Sequence, residues 1–486
     1  MSRERRWRVA ALVVLVIAGV GIAAGLRGTP APVGAAPSPS ALVGAPDAES
    51  TAWYCTGQST AGGVAPGFLV LTNTTARPVT ADITAVSDSG ATAQTAAAVP
   101  AHGVVAPSVP SLSGSWESET VVTSGGGVAV TQTISNSLGW SQAPCQSTTS
   151  DQWYFAGGST AAANQLYISL LNPTSTPVVV DLSFVTPAGM VHPINYQGIV
   201  LPAGQVAVEN VASEVQQIST LSTVVTTRTG RVVAAAVQEI VDAGGTTGGV
   251  SLVPGVMTPE SHWAIPQAQE VPNASSEVDV FNPGTTTETV TVRFRLPSGP
   301  LAPLTDKILP GTTWPLMTSA QTRIPSNETY ATTIDATGGA GVVVSRAVNL
   351  ASSATPPPQA GTVVAVDGRS AASPTGEWVV PPPGSSASPA VSGARPAYLA
   401  LFNTSTSSET YNAASTTASG NKVIATGTLA PGTSVLVDGS PLSVAGLNPI
   451  VVRASGSMAV SEEASPSAGF GIVSMPGIPL ASAIGA

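Results

Sequence analysis

The sequence predicts an all-β chain: four tandem antiparallel β-sandwich units, immunoglobulin-like, behind one N-terminal transmembrane helix. Three observations carry this expectation. The composition is that of sheets and turns, with 43% hydrophobic residues, 9% charged residues, 49 Gly and 42 Pro in 486 positions. Apolar and polar residues alternate through many short runs, which is the period of a half-buried strand. One set of landmarks also recurs four times in the same order.

The same composition excludes several classes. Coiled coils, helical bundles and nucleic-acid binders need dense charge, and this chain lacks it. Its length calls for several domains. The net charge is −10, from 17 Lys and Arg against 27 Asp and Glu. Five of the positive charges, Arg3, Arg5, Arg6, Arg8 and Arg27, flank the first apolar stretch, so the remainder is more acidic still. That balance favours solubility and disfavours nucleic acid or anionic lipid as partners.

At the N-terminus, the four arginines of residues 1–8 are opposed only by Glu4. Residues 9–26 follow without a charge and are long enough to span a bilayer as a helix. The positive-inside rule keeps residues 1–8 cytoplasmic and exports the bulk of the chain. The expectation is a single-pass signal anchor in the cell membrane. The alternative is secretion after cleavage near Val33-Gly34-Ala35. Residues 27–50 form an Ala/Pro/Ser linker. Beyond it lie the two cysteines, Cys55 and Cys145, which in an oxidising compartment are expected to form one disulfide; two buried free thiols are the other reading.

The repeat begins at Trp53, Trp153, Trp263 and Trp378. After each comes an apolar run ending in Asn: Asn73, Asn172, Asn282 and Asn403. At one constant spacing after these stand Gly90, Gly189, Gly299 and Gly420. Pro100, Pro202, Pro310 and Pro431 follow, each with a glycine close behind. The Asn is expected to open a turn by bonding its own backbone, and the spaced glycine to supply positive φ in a hairpin. Alternation is strict at Val290-Thr291-Val292-Arg293-Phe294-Arg295-Leu296. Each unit ends in a hairpin-like segment, the first being Val121 to Gln132 around Gly125-Gly126-Gly127. The units are placed at 51–147, 148–258, 259–374 and 375–486. A propeller is the second choice, although these units are longer than one four-stranded blade.

The order of Trp, apolar run ending in Asn-Pro or Asn-Thr, alternating strand, Pro with Gly, and terminal hairpin resembles a domain-of-unknown-function family of actinobacterial exported proteins. Members carry one N-terminal transmembrane segment and tandem β repeats. The resemblance implies no catalytic residues. A bias to Arg, with Lys307 and Lys422 the only lysines, fits a high-GC genome.

No motif for catalysis stands out. His102, His192 and His262 fall in different units and lack metal-ligand spacing, so no metal or cofactor is expected. Carboxylate pairs that could serve glycoside hydrolysis are Glu117 with Glu119, Glu462 with Glu463, and Glu209 with Glu214 or Glu239; solvated carboxylates are the plainer reading. Trp116, Trp140 and Trp314 do not recur between units, which makes them candidate stacking rings for a glycan, against a packing role. The expected function is therefore a non-enzymatic, membrane-tethered stalk of the cell envelope, acting as scaffold or interaction module. Its expected partners are the membrane, through the N-terminal helix, and envelope proteins or glycans. The alternative is an envelope polysaccharide-binding module that uses those three tryptophans.

Overall fold

The computed structural model describes residues 40–481 apart from 242–247, 271–273, 327, 351–359, 365, 368–375, 383–394, 418, 439–441, 443–447 and 466–472. The expected cytoplasmic tip, residues 1–8, and the anchor, residues 9–26, lie outside the described residues. Among the described residues, no helix is long and apolar enough to cross a membrane.

The chain is all-β, and its first eight strands set the pattern. They are β1 (Thr51–Ser59), β2 (Gly67–Asn73), β3 (Val79–Ser87), β4 (Thr92–Val99), β5 (Val104–Val105), β6 (Trp116–Thr123), β7 (Val128–Asn136) and β8 (Gly139–Pro144). One antiparallel sheet runs β1-β6-β3-β4 and the other β5-β2-β7-β8. Trp53, Ile83 and Val121 from the first sheet meet Leu69, Leu71 and Val130 from the second in one buried cluster. Three further pairs of sheets follow along the chain, each closing over a cluster of its own, which contains Trp153, Trp263 or Trp378. Alternation explains the burial. In the strand Glu288–Leu296, Val290, Val292, Phe294 and Leu296 face the cluster, while the residues between them are half-buried.

The strand order departs from the immunoglobulin arrangement at its outer strands. The β2–β5 and β3–β6 pairings match the B–E and C–F neighbours of that fold. The outer positions are exchanged, however: β1 lies beside β6, where the last immunoglobulin strand would be, and β7 lies beside β2. The segment around Gly125-Gly126-Gly127 is consequently not a hairpin. It carries the chain from β6 in one sheet to β7 in the other. The sequence suggested a hairpin because two apolar runs around a Gly cluster look alike whether the strands pair or separate.

The repeated landmarks have clear physical roles. The four Asn side chains are fully buried. Asn282 Nδ2 donates to Thr286 O at 2.8 Å and to Ile308 O at 2.9 Å, while its Oδ1 accepts from Gly284 N at 2.9 Å. Asn73, Asn172 and Asn403 repeat this clamp, for instance from Asn403 Nδ2 to Ser407 O at 2.7 Å and Leu429 O at 2.9 Å. The side chain thus opens a turn and ties it to the end of a strand in the facing sheet. Gly90, Gly189, Gly299 and Gly420 take φ of 82°, 116°, 129° and 119°, which side chains other than glycine rarely adopt. Trp153 and Trp263 anchor their indole N–H groups on Val232 O and Val342 O at 2.9 and 2.8 Å.

The contacts among the sheet pairs are cyclic. β8 lies against the edge strand Gly248–Pro254, that strand against Ala360–Val364, that against Val473–Pro476, and the last against β8 again. The two ends of the described chain also meet. Val43 N donates to Pro479 O and Ala481 N to Val43 O, both at 2.9 Å. Val379, Ile478 and Leu480 join the cluster of the first sheet pair. An open row of units, as a stalk would require, does not have these contacts. Cyclic packing is a property of propellers, yet each quarter here is two facing sheets rather than one blade.

Candidate functional site

The expected disulfide is present. Cys55 in β1 and Cys145, just after β8, are bonded with a Cα–Cα distance of 4.7 Å. The bridge joins the two sheets of the first pair and lies in its buried cluster. Beside it, Tyr54 N and Gln146 N donate to each other's carbonyls at 2.8 and 3.0 Å.

The three non-recurring tryptophans are spread over separate places. Trp116 opens β6, is 8% exposed, and packs on Tyr167 of the second sheet pair with ring centroids 5.0 Å apart. Trp140 lies in β8 and is 2% exposed. Trp314, in the strand Thr312–Met317, is half-buried against the third cluster. The polar residues Ser113-Gly114-Ser115 end where the strand begins, and the Trp116 indole fills a seam between sheet pairs. Two of the three rings are thus buried.

The carboxylate pairs differ in kind. Gln58 Nε2 donates to Glu117 Oε1 at 3.2 Å and also to Glu119 Oε1, so these two acids do converge. Glu119 is fully buried; burial pushes its carboxyl well above the ordinary value, Glu117 adds repulsion, and Gln58 counteracts. Glu462 is buried, its Oε1 and Oε2 have no hydrogen-bond partner among the described residues, and burial raises it well above the ordinary value. Its neighbour Glu463 accepts from Tyr398 OH and is pushed up to about 7 by burial, against an opposing pull from Arg346. Glu214 and Glu239 accept from separate amides, Asn195 at 2.6 Å and Asn136 at 2.8 Å, while burial raises Glu209.

The histidines also stay apart: His192 Nδ1 meets Ser183 Oγ at 2.7 Å and His262 Nδ1 meets Asp335 Oδ1 at 2.7 Å. No group of three or more His, Cys, Asp or Glu suited to a metal ion occurs among the described residues.

One concave site among the described residues involves none of these side chains. A cleft of about 260 Å³ opens between the second and third sheet pairs, with Ser159, Asn164 and Gln238 on one wall and Glu277 and Asp279 on the other. Glu277 and Asp279 are two apart in the strand Ala274–Asn282 and so share a face. Val278 and Val280, on the opposite face, enter the third cluster. Thr220 Oγ1 donates to Glu277 Oε1 at 3.0 Å across the cleft. Asp279 is 2% exposed, and its Oδ1 has no hydrogen-bond partner among the described residues. Burial pushes the Asp279 carboxyl well above the ordinary value, and a side-chain hydrogen bond with Glu277 and the Glu277 charge raise it further. Gly157, at φ 71°, permits the close approach: a Cβ there would lie 2.2 Å from Asp279 Oδ2 and 2.9 Å from Ser345 Oγ.

Two known structures resemble the chain weakly. A crystal structure titled Thermotoga maritima 1070 aligns over 22% of this chain and 95% of its own, at 16% identity and a TM-score of 0.20. A tetra-tandem repeat from the extending region of a large adhesion protein aligns over 88% of this chain and 99% of its own, at 12% identity and a TM-score of 0.11. Neither similarity is close enough to carry an argument about fold or function. No curated protein matches the chain. The profile of one family does match, over residues 100–440, which include the Asn clamps of the second, third and fourth sheet pairs and both walls of the cleft, and the chain belongs to that family of unknown function, DUF5719.

Proposed function

We propose that the chain is a non-enzymatic interaction module of the cell envelope, exported and tethered by its apolar N-terminal segment. The four sheet pairs, each with its own cluster, support reading the exported part as four sandwich units at 51–147, 148–258, 259–374 and 375–486. The Cys55–Cys145 bridge supports an oxidising compartment. The cyclic contacts favour a closed scaffold over an extended stalk.

One observation carries the interaction reading. Exposed large apolar side chains concentrate in one stretch of the second unit: Met190, Val191, Ile194 and Val200, the last two 81% and 64% exposed. Leu309 of the third unit is 59% exposed, and Met190 reaches Gly311 two residues further on. Concentrated exposed apolar surface costs solubility and marks contact sites. The glycan alternative is weaker, because Trp116 and Trp140 are buried.

The test is photo-cross-linking in intact cells from a probe at position 194, with a probe at the exposed Val423 as control. A discrete adduct specific to position 194 is the expected result. Equal, diffuse labelling from both positions would overturn the interaction reading.

A further inference from the structure

The cleft between the second and third sheet pairs is unevenly satisfied. On its first wall the amides are occupied. Gln238 Nε2 donates to Ser159 O, Gln165 O and Glu239 O at 3.0, 3.0 and 2.9 Å, and its Oε1 accepts from Ser159 N at 2.7 Å. Asn164 Nδ2 donates to Ser159 Oγ at 2.8 Å, and its Oδ1 accepts from Val241 N at 2.9 Å. The Thr220 hydroxyl gives its proton to Glu277. On the second wall the open positions are acceptors. Asp279 Oδ1 is buried with no hydrogen-bond partner among the described residues, Glu277 accepts from Thr220 through Oε1, and the two carboxyls are close enough to share a hydrogen bond. Among the described residues, no Lys, Arg or His lines the space.

Such a site has few donors, the Ser219 hydroxyl and the proton that a raised Asp279 carboxyl keeps, and among the described residues it has no positive charge. A neutral sugar would bring as many acceptors as donors and would find few donors to meet it. A compact ammonium brings three donors and a charge to two adjacent carboxyl groups. Ile240, Met317 and Ala347 also line the cleft and offer apolar surface to a short methylene stem. A bare metal ion would gain nothing from them.

We propose that this cleft binds a primary alkylammonium group, held by the Glu277 and Asp279 carboxyls, with its stem along Ile240 and Met317. Gly157 serves the site by leaving room for Asp279. The group can belong to a lysine side chain of a partner chain or to a small free amine. The inference uses none of the residues behind the export and interaction reading, so either stands if the other fails.

The test is a ligand-observed NMR titration of the full chain with three probes: Nα-acetyl-lysine methylamide, pentylamine and methyl glucoside. Binding of an amine with a Kd on the order of millimolar is expected, as suits so few atoms, with no binding of the glucoside. Tighter binding of the lysine derivative assigns the group to a protein side chain, tighter or sole binding of pentylamine assigns it to a free amine, and equal binding leaves the site open to both, with the ammonium and stem as the recognised group. Glu277→Gln keeps the shape of the half-buried wall and should weaken either amine about tenfold, the worth of one charge-assisted contact. Asp279→Asn should weaken it too, and by less, because burial disfavours the charge that this variant removes; a melting curve like that of the parent shows that the loss is not unfolding. Glucoside binding without amine binding, no amine binding at all, or equal amine binding by the parent and Glu277→Gln would overturn the proposal.

Discussion

Trp116 and Trp263 show what a residue's neighbours in sequence can and cannot reveal. Trp263 recurs at the same place in every unit, and that recurrence marks it as core. It is 2% exposed, with its N–H on Val342 O. Trp116 does not recur and follows Ser-Gly-Ser, the setting of a loop. Its burial depends on Tyr167 and Val237, which are distant in sequence and belong to another sheet pair. Contacts of that kind leave no local trace. The two tryptophans should therefore behave alike when truncated. Each Ala variant should lose about 3–5 kcal/mol, as large-to-small core changes do. Thermal melts of both variants check this. A Trp116→Ala protein that melts with the parent would return Trp116 to the surface and reopen the glycan reading.

Strands were legible in the sequence where alternation is strict, as in Val290 to Leu296, and turns where Asn or Gly has a fixed task. The pairing of those strands was not. A Gly cluster between two apolar runs is the same whether the runs pair or part, and only long-range pairing, such as Trp53 with Val121, settles which sheet β6 joins. The cleft acids did leave a signal. The positions of Glu277 and Asp279, counted back from Asn282, hold Phe68 and Val70, Tyr167 and Ser169, and Tyr398 and Ala400 before the other three Asn residues. Two acids where the other units carry none is a departure that the repeat itself exposes. Each is unremarkable on an alternating strand, which is why a search for pairs by proximity alone passes over them.

Among the described residues, burial raises seven carboxyls, Glu119, Asp279, Glu462 and Glu463 the most and Glu117, Glu209 and Glu239 less. The sign follows directly. An acid with a raised folded-state pKa binds its proton more tightly in the folded chain than in the unfolded one. Its relative stabilisation is present at low pH and is lost as pH rises through the folded value, about 7 for Glu463. The melting temperature should therefore fall between about pH 5 and about pH 8. Glu462→Gln, which cannot ionise, should raise the melting temperature at the upper end and flatten the fall. An unchanged slope in that variant would mean that Glu462 reaches water in the folded protein. A second expectation at this scale concerns closure. In an open row, deleting residues 473–486 would loosen only the last sheet pair. Here Ile478 and Leu480 belong to the first cluster, and Pro479 O accepts from Val43 N. Removing them exposes apolar surface at Trp53 and leaves the backbone at Val43 unpaired. Hydrogen exchange on the truncated chain should show protection lost along β1 as well as in the strand Glu377–Val380, while the strand Glu288–Leu296 keeps its protection. Loss confined to the fourth sheet pair would show that the ring is not closed in solution.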